Sequence, residues 1–369
     1  MDAAAGFRKL KDRIMLKRRP TLRSPADLAR AGLVPAERVQ ELAPVAAHYA
    51  MAITPALYDL IEANDPHDPI ARQFVPSADE LARSPDEIAD PIGDARHSPV
   101  PGIVHRHADR VLLKLTHLCP VYCRFCFRRE TVGPENGRSP SKPQIEAALG
   151  YIAEHKEIWE VILTGGDPFV LTPRKLAEVS ARLGAIGHVK IVRWHTRMPI
   201  ADPDAITPAL IAALKRTGKT TFAVIHANHP RELSASARAA CARLTGAGIS
   251  LLSQSVLLKG VNDNIETLES LMRALAEAGV KPYYLHHADL APGTAHFRTT
   301  VEKGRGLMRA LHARASGLCL PRYVLDIPGG HSKAGLEAAD AECEGEGDSD
   351  SPSGYYVRDS GGGRHFYRG

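Results

Sequence analysis

Between positions 111 and 327, apolar residues recur in short runs rich in Val, Ile and Leu, and these runs alternate with stretches of helical period. Strand-like runs occur at 111–116, 159–164, 189–195, 220–226, 250–257 and 281–286. Helix-period stretches lie at 141–156, 173–183, 204–217, 231–246 and 264–278, and a last one follows at 301–315. From the second run onward the starts recur about every thirty residues, the size of a βαβ unit. Six such units predict an α/β chain with a parallel, curved sheet and helices outside it. With six units in place of eight, the expected shape is a partial (β/α)6 barrel, TIM-like but open. A seventh apolar run, Tyr323-Val324-Leu325-Asp326-Ile327, follows the sixth helix.

The flanks differ from this repeat. Residues 1–100 read as an N-terminal helical region, with Ser24-Pro25 as a helix start and another helix around 35–49. Within it, 64–102 are rich in Pro and Asp and read as a looping arm outside the core, of the kind that packs on a neighbouring subunit. The barrel is expected over 101–336 and a tail over 337–369. In the tail Glu342, Glu344, Glu346, Asp348 and Asp350 alternate with small residues, which predicts a disordered acidic segment. Its last residues, 364–368, are candidates to dock, with no place indicated for them.

Composition narrows the class. The chain has 369 residues, 24% of them charged and 44% hydrophobic, which fits a soluble globular protein. No apolar run reaches the length of a membrane span, and the start lacks the apolar core of a secretory signal, so a cytoplasmic location is expected. Six cysteines, three of them clustered, argue for a reducing compartment over a disulfide framework. The net charge of +5 owes much to residues 8–23. That run reads best as a solvated basic helix; contact with RNA or an acidic partner, or an organelle-targeting segment weakened by Asp2 and Asp12, are the alternatives. No aromatic residues interleave with it, so no nucleic-acid partner is expected.

In parallel barrels, chemistry gathers at the carboxyl ends of the strands, and this chain puts polar residues there each time. After the first run come Cys119, Cys123 and Cys126, spaced C-x3-C-x2-C. After the second comes Gly165-Gly166-Asp167, and after the third His195, Thr196 and Arg197. His226 and Asn228 follow the fourth, Gln254 and Ser255 lie on the fifth, and His286, His287 and Asp289 end the sixth. Asp326 and Lys333 belong to the seventh. One polar strand end is ordinarily a turn or a cap; seven on one face point to a site.

Thiolates suit zinc or an iron–sulfur cluster. A structural zinc wants four protein ligands, and no fourth cysteine is near. A four-iron cluster on three thiolates leaves one iron open to a small molecule. Buried structural cysteines or a zinc loop are the plainer alternatives. The spacing resembles the radical S-adenosylmethionine (SAM) superfamily, in which the open iron binds SAM and one electron cleaves it to a 5′-deoxyadenosyl radical. Gly165 and Gly166 let backbone approach a ligand closely, as a strand–helix turn also requires. Arg106 and Arg110, four apart, can clamp a phosphate, or can be ordinary surface arginines. Lys333, in a glycine-rich loop with Gly329 and Gly330, can form a Schiff base with pyridoxal phosphate (PLP), though most lysines are surface charges. Asp289 and Asp326 can bind a cationic group, and Arg128 a carboxylate. Together they suit a diamino acid such as lysine.

Over residues 64–336 the chain resembles the lysine 2,3-aminomutase family, radical SAM enzymes that also use PLP. The resemblance is carried by Asp65-Pro66…Asp68-Pro69, Arg106…Asp109-Arg110-Val111-Leu112, Cys119…Cys123-Arg124…Cys126…Arg128-Arg129 and Thr164-Gly165-Gly166-Asp167-Pro168. Asn228-His229-Pro230, 254–263, Pro282-Tyr283-Tyr284-Leu285, Asp289-Leu290…Gly293…His296-Phe297-Arg298 and Asp326…Pro328-Gly329-Gly330…Lys333 continue it. It implies a radical SAM barrel in which Cys119, Cys123 and Cys126 hold a [4Fe–4S] cluster. Gly165, Gly166, Asp167 and Gln254 would serve cofactor binding. Lys333 would hold PLP, with Arg106 and Arg110 on its phosphate. Arg128 would take the carboxylate of L-lysine, and Asp289 and Asp326 its ε-ammonium. The implied reaction moves the α-amino group to the β-carbon, giving β-lysine. The implied partners are an electron donor such as flavodoxin or ferredoxin and further copies of the chain in a homo-oligomer.

Departures from the pattern bear on the pathway. Asn264 stands where zinc-bearing members carry a cysteine, and the tail holds only Cys343, so zinc is not expected. His331 and Ser332 interrupt the glycines before Lys333, and Phe127-Arg128-Arg129 leans the same way, toward the branch whose β-lysine is attached to elongation factor P. Asp326 leans back toward enzymes acting on free lysine. An aminomutase for another amino acid is the nearest rival, and two carboxylates disfavour glutamate. An iron–sulfur protein for electron transfer or partner binding is the rival from another class.

Overall fold

Along β2 (Arg110–Thr116), Val111, Leu113 and Leu115 are buried in the main core and alternate with the less buried Arg110, Leu112 and Lys114. This period of two sets one face of the strand against the helices and turns the other toward the barrel interior. Similar runs build β3 (Glu160–Gly165), β4 (Ile191–Thr196), β5 (Thr220–His226), β6 (Ser250–Val256), β7 (Val280–His286) and β8 (Arg322–Asp326). The computed structural model describes residues 19–63, 65–134, 139–327, 333–337, 342–343, 355–358 and 362–367. In it β2 to β8 pair in parallel, each with the next in sequence. β1 (Ile103–His107) and β9 (Lys333–Gly335) add an antiparallel strand at each end of a nine-stranded sheet that runs in chain order. The six expected βα units are present, and the seventh apolar run becomes β8.

Six crossover helices start at Ser141, Thr172, Thr207, Ser234, Asn264 and Thr300. In five of them, from Thr172 onward, the cap side chain accepts a hydrogen bond from a first-turn N–H, and Ser141 forms a capping box with Gln144. Each connection therefore begins at a residue chosen for that position, and the seven parallel strands, β2 to β8, deliver their carboxyl ends to one rim. β1 and β9 are the sheet's two edges. Arg106 of β1 reaches across to the end of β8, donating to the carbonyl of Ile327 at 2.9 Å, and also to that of Ile92 at 3.2 Å.

The N-terminal region shares its core with the barrel. Leu28, Leu42, Ile53, Leu57, Ile70 and Phe74 belong to the same buried cluster as the strand residues. Most of 64–102 lacks regular structure, as expected, but the expectation that it stands outside the core is corrected. Its short helix Pro69–Phe74 buries Ile70, Gln73 and Phe74, and its turn Ala78–Leu81 buries Glu80. Proline at the first turn and the capping carboxylate of Asp68 make this helix without apolar periodicity to announce it.

Most of the basic N-terminal run, the loop Gly329, Gly330, His331 and Ser332, and the acidic stretch 344–350 lie outside the described residues. The described tail forms a three-stranded antiparallel sheet, β10 (Glu342–Cys343), β11 (Tyr355–Arg358) and β12 (Arg364–Tyr367). Val357 and Tyr367 are buried with the barrel core. The tail therefore docks, at the end of β7: the Tyr367 ring meets His287 edge-on at 5.6 Å, and its hydroxyl donates to the Ala288 carbonyl at 3.4 Å.

Candidate active site

β2 ends at Thr116, and the chain turns into the loop that carries Cys119, Cys123 and Cys126. All three are free and half-buried. They line a cavity of about 50 Å³ with Tyr49, Ala50, Tyr122, Arg124, Arg129 and other residues of the loop. Burial pushes each thiol up, Cys126 to about 11, and repulsion among the three adds to the shift on Cys119 and Cys126. Soft donors that converge yet cannot all ionise alone suit a polarisable cationic group, which would neutralise them. The donor set fits an iron–sulfur cluster.

Buried pairs hold this loop. Arg124 and Arg129 both bond Glu80, and all three side chains are nearly inaccessible. Arg124 also donates to the Ala50 carbonyl at 2.9 Å, and Arg129 to that of Gly293 at 3.1 Å. Just past β4, Arg197 donates to Cys123 Sγ at 3.1 Å and to Gln73 at 2.9 Å, and it pairs with Glu232. The glycine turn after β3 closes on the same loop. Gly166 N–H donates to Thr116 O at 2.6 Å and Asp167 N–H to Leu118 O at 2.9 Å. A Cβ on Gly166 would lie 2.2 Å from the Leu118 carbonyl oxygen, and Gly165 has a φ of +103°, so both glycines are required by the turn itself. The Asp167 carboxylate accepts from Thr196 at 2.8 Å, Arg197 N–H at 2.7 Å and Phe169 N–H at 2.9 Å, and burial raises it to about 6.

The rest of the site lines the interior. Asp326, at the end of β8, accepts from Lys333 of β9 and lies 3.5 Å from His286 Nδ1 and 3.9 Å from Arg106. Burial works against its charge, but Lys333 and His286 hold it well below the usual carboxylate range. Asp289, three residues past β7, goes the other way. Burial and the Asp326 charge raise it to about 8, with Lys333 and Arg128 pulling back. Arg128 Nε and Nη2 each lie 3.0 Å from Asp94 Oδ2, and Lys114 of β2 lies 3.7 Å from the same oxygen. Burial opposes the Asp94 charge, but Arg128 and Lys114 hold its carboxyl below the usual value.

Three imidazoles face this cluster from β4, β5 and β7. Burial and neighbouring cations push His195 and His226 well below their usual value, and His286 is lowered as well. The Nε2 atom of each is buried without a hydrogen-bond partner. Unsatisfied buried polar atoms of this kind fit a ligand that supplies the missing partners. Lys333 Nζ stands 5.7 Å over the Tyr284 ring. At the base, His107 is driven to about 4 by burial and by Arg110, Arg106 and Lys333, so these four groups are neighbours. Arg110 pairs with Asp109 at 2.7 Å. Gln254 lies in register between His226 and Tyr284. Lys333, the cationic base and the orphaned imidazoles fit PLP.

The structure thus gathers Arg128, Asp289, Asp326, Lys333 and Arg106 in one interior, with the cysteine loop at its rim. Glu80, Asp94, Lys114 and His107 were missed. Glu80 had a signal, as the fourth residue of the capping box that Ser77 opens. Lys114 had one too, as a charge inside an apolar strand.

The Radical SAM superfamily matches residues 113–275. L-lysine 2,3-aminomutase of Clostridium subterminale is 41% identical over 283 residues, covering 77% of this chain and 68% of that protein. The chain belongs to the L-lysine 2,3-aminomutase family. L-lysine 2,3-aminomutase of Escherichia coli (strain K12) is 39% identical over 289 residues, covering 78% of this chain and 84% of that protein. Among solved structures, a radical SAM methyltransferase from Sphaerobacter thermophilus aligns with a TM-score of 0.45 and 19% identity, over 60% of this chain and 68% of that one. The chain is a radical SAM aminomutase, an isomerase, and membership of the family implies a [4Fe–4S] cluster, SAM and PLP. Among the described residues, no helix is long and apolar enough to cross a membrane.

Proposed function

We propose that the chain moves the α-amino group of L-lysine to its β-carbon, giving β-lysine. The observation that carries this is the pairing of Asp289 and Asp326 beside Lys333, with Arg128 in reach of the same cluster. The arrangement offers carboxylates to a distant ammonium, a guanidinium to a carboxylate and an amine to a PLP aldehyde, all within one lined interior. Bound together, the reduced cluster and SAM would supply a deoxyadenosyl radical, and PLP would supply a conjugated π system that delocalises the unpaired electron while the amine migrates.

Cys119, Cys123 and Cys126 are the cluster ligands in this reading. Lys333 holds PLP, and Arg106 and Arg110 take its phosphate. The backbone of the Gly165-Gly166-Asp167 turn faces SAM. The Asp167 side chain is tied to β4, so it acts by fixing that turn. Gln254 contacts a cofactor from β6. Arg128 anchors the substrate carboxylate, and Asp289 and Asp326 fix the ε-ammonium, so the β-carbon is held in one place. Neutral His195, His226 and His286 line the interior without adding charge. These residues orient the substrate and exclude water around a radical. A flavodoxin- or ferredoxin-type donor supplies the electron, and the enzyme works as a cytoplasmic homo-oligomer.

Anaerobic turnover tests the reading. The reconstituted enzyme, given PLP, SAM, dithionite and L-lysine labelled with nitrogen-15 at the α-amino group, should place the label on the β-carbon. SAM cleavage without β-lysine would redirect the search to another amino acid. An intact cluster with no cleavage would support the electron-transfer reading. Lys333→Ala should keep the iron–sulfur spectrum, and borohydride should no longer fix PLP to the protein. Free β-lysine and β-lysine bound for elongation factor P share this first reaction. Mass analysis of elongation factor P from cells with and without the gene separates them.

A further inference from the structure

The proposed reaction gives Lys114 no role, yet it is a cation set into the interior face of an apolar strand. Lys114 follows Arg110 and Leu112 on the inward-facing side of β2, whose other face, Val111, Leu113 and Leu115, is core. Its ammonium is 3.7 Å from Asp94 Oδ2, the same oxygen that lies 3.0 Å from two nitrogens of Arg128. The three side chains are 20%, 15% and 13% exposed for Lys114, Asp94 and Arg128, so water screens them poorly.

Lys114, Arg128 and Asp94 together carry a net charge of about +1; the Asp90 carboxylate also acts on Lys114, while its oxygens accept from the Asp94 and Ala95 N–H groups. Arg128 is the anchor for the substrate carboxylate in the aminomutase reading, on which this inference rests. Asp94 sits against that anchor. Alone, the Arg128–Asp94 pair is neutral and presents a like charge to any arriving carboxylate. Lys114 offsets Asp94 and restores the excess positive charge that an amino-acid carboxylate needs.

We infer that Lys114 is a specificity-determining residue of the carboxylate subsite: with Arg128 it brackets Asp94 and makes the subsite accept an α-amino acid over the corresponding plain diamine. A residue present only to satisfy Asp94 would support the fold but would not separate these two ligands.

Spectrophotometric titration of the PLP-loaded enzyme, without reductant, reads the difference directly. The ligands are L-lysine and 1,5-diaminopentane, which keeps both amines and lacks the carboxylate. Lys114→Met should lose about tenfold in affinity for L-lysine while its affinity for 1,5-diaminopentane changes less than about twofold. Lys114→Arg, which keeps the charge, should hold wild-type affinity for both. Equal losses for the two ligands in Lys114→Met, or no loss for either, would overturn the inference and leave the aminomutase reading standing. A wild-type enzyme whose PLP spectrum does not respond to L-lysine would overturn the L-lysine reading itself.

Discussion

Asp289 and Asp326 belong to one cluster and ionise in opposite senses. Lys333 and His286 keep Asp326 charged, whereas burial beside that charge lifts Asp289 to about 8. A second ammonium on the substrate needs a carboxylate, so Asp289 must release its proton to bind it. The expected consequence is a kcat/KM for L-lysine that climbs from about pH 7 and levels off above about pH 9. Asp289→Asn should lose affinity and abolish the climb; an unchanged climb in that variant would mean another group titrates. The same shift affects stability. Between the ordinary carboxyl value of 3.8 and about 8, native Asp289 holds a proton that the unfolded chain has released. Its contribution to stability therefore falls as pH rises through that window, and Asp289→Asn should flatten that fall in thermal unfolding. Arg197 supports a second prediction. Its guanidinium donates to Cys123 Sγ, and a reduced cluster carries one more negative charge than an oxidised one. Arg197→Met removes that donor and takes the cation away from Glu232, which keeps its bonds from Gln73, Asn228 and His229, so both effects favour the oxidised form. The cluster potential should fall by on the order of 60 mV, the one-electron equivalent of about 1.4 kcal/mol. Redox titration followed by electron paramagnetic resonance checks it, and an unmoved potential would remove Arg197 from the account.

Elements with one strong period were legible. The βα units could be read because Val, Ile and Leu recur at the spacing of strands and helices, and the polar strand ends pointed to the rim where Cys119, Asp289 and Asp326 do gather. The segment 64–102 was legible only as a loop, since its order comes from polar pairs instead of a period. Pro69–Phe74 is too short to show a stripe, and Glu80 is held by Arg124 and Arg129 from a loop 44 and 49 residues away. No local pattern encodes such a pairing, and the same holds for Asp94 with Lys114 and Arg128. This segment nevertheless carries the cysteine loop. Glu80→Gln would leave two buried guanidinium groups without their carboxylate, a loss of about 3–5 kcal/mol. Chemical unfolding should show it, and iron incorporation on reconstitution should fall with it. A variant of wild-type stability and full iron content would mean that the arm does not hold the loop.

At the scale of the whole molecule, the two ends of the barrel sheet meet at the site. Arg106 ties β1 to the end of β8, and β9 carries Lys333 back alongside Asp326. The described part of the tail then packs on the rim through Tyr367, which lies on His287 and Ala288 and feels the charge of Asp289. Burial is the main reason Asp289 is raised, so the aromatic ring that helps to cover this corner contributes to the pH at which the substrate ammonium is accepted. Tyr367→Ala should release the last strand and admit water beside Asp289. Its proton would then leave at lower pH, and the inflection of kcat/KM should move down from about 8 toward the ordinary carboxyl range. The cysteine loop depends on Glu80 and Arg197 and not on the tail, so iron content and SAM binding should stay at wild-type levels. Limited proteolysis reports whether the tail has been released. A released tail with an unmoved inflection would show that the barrel wall alone buries Asp289.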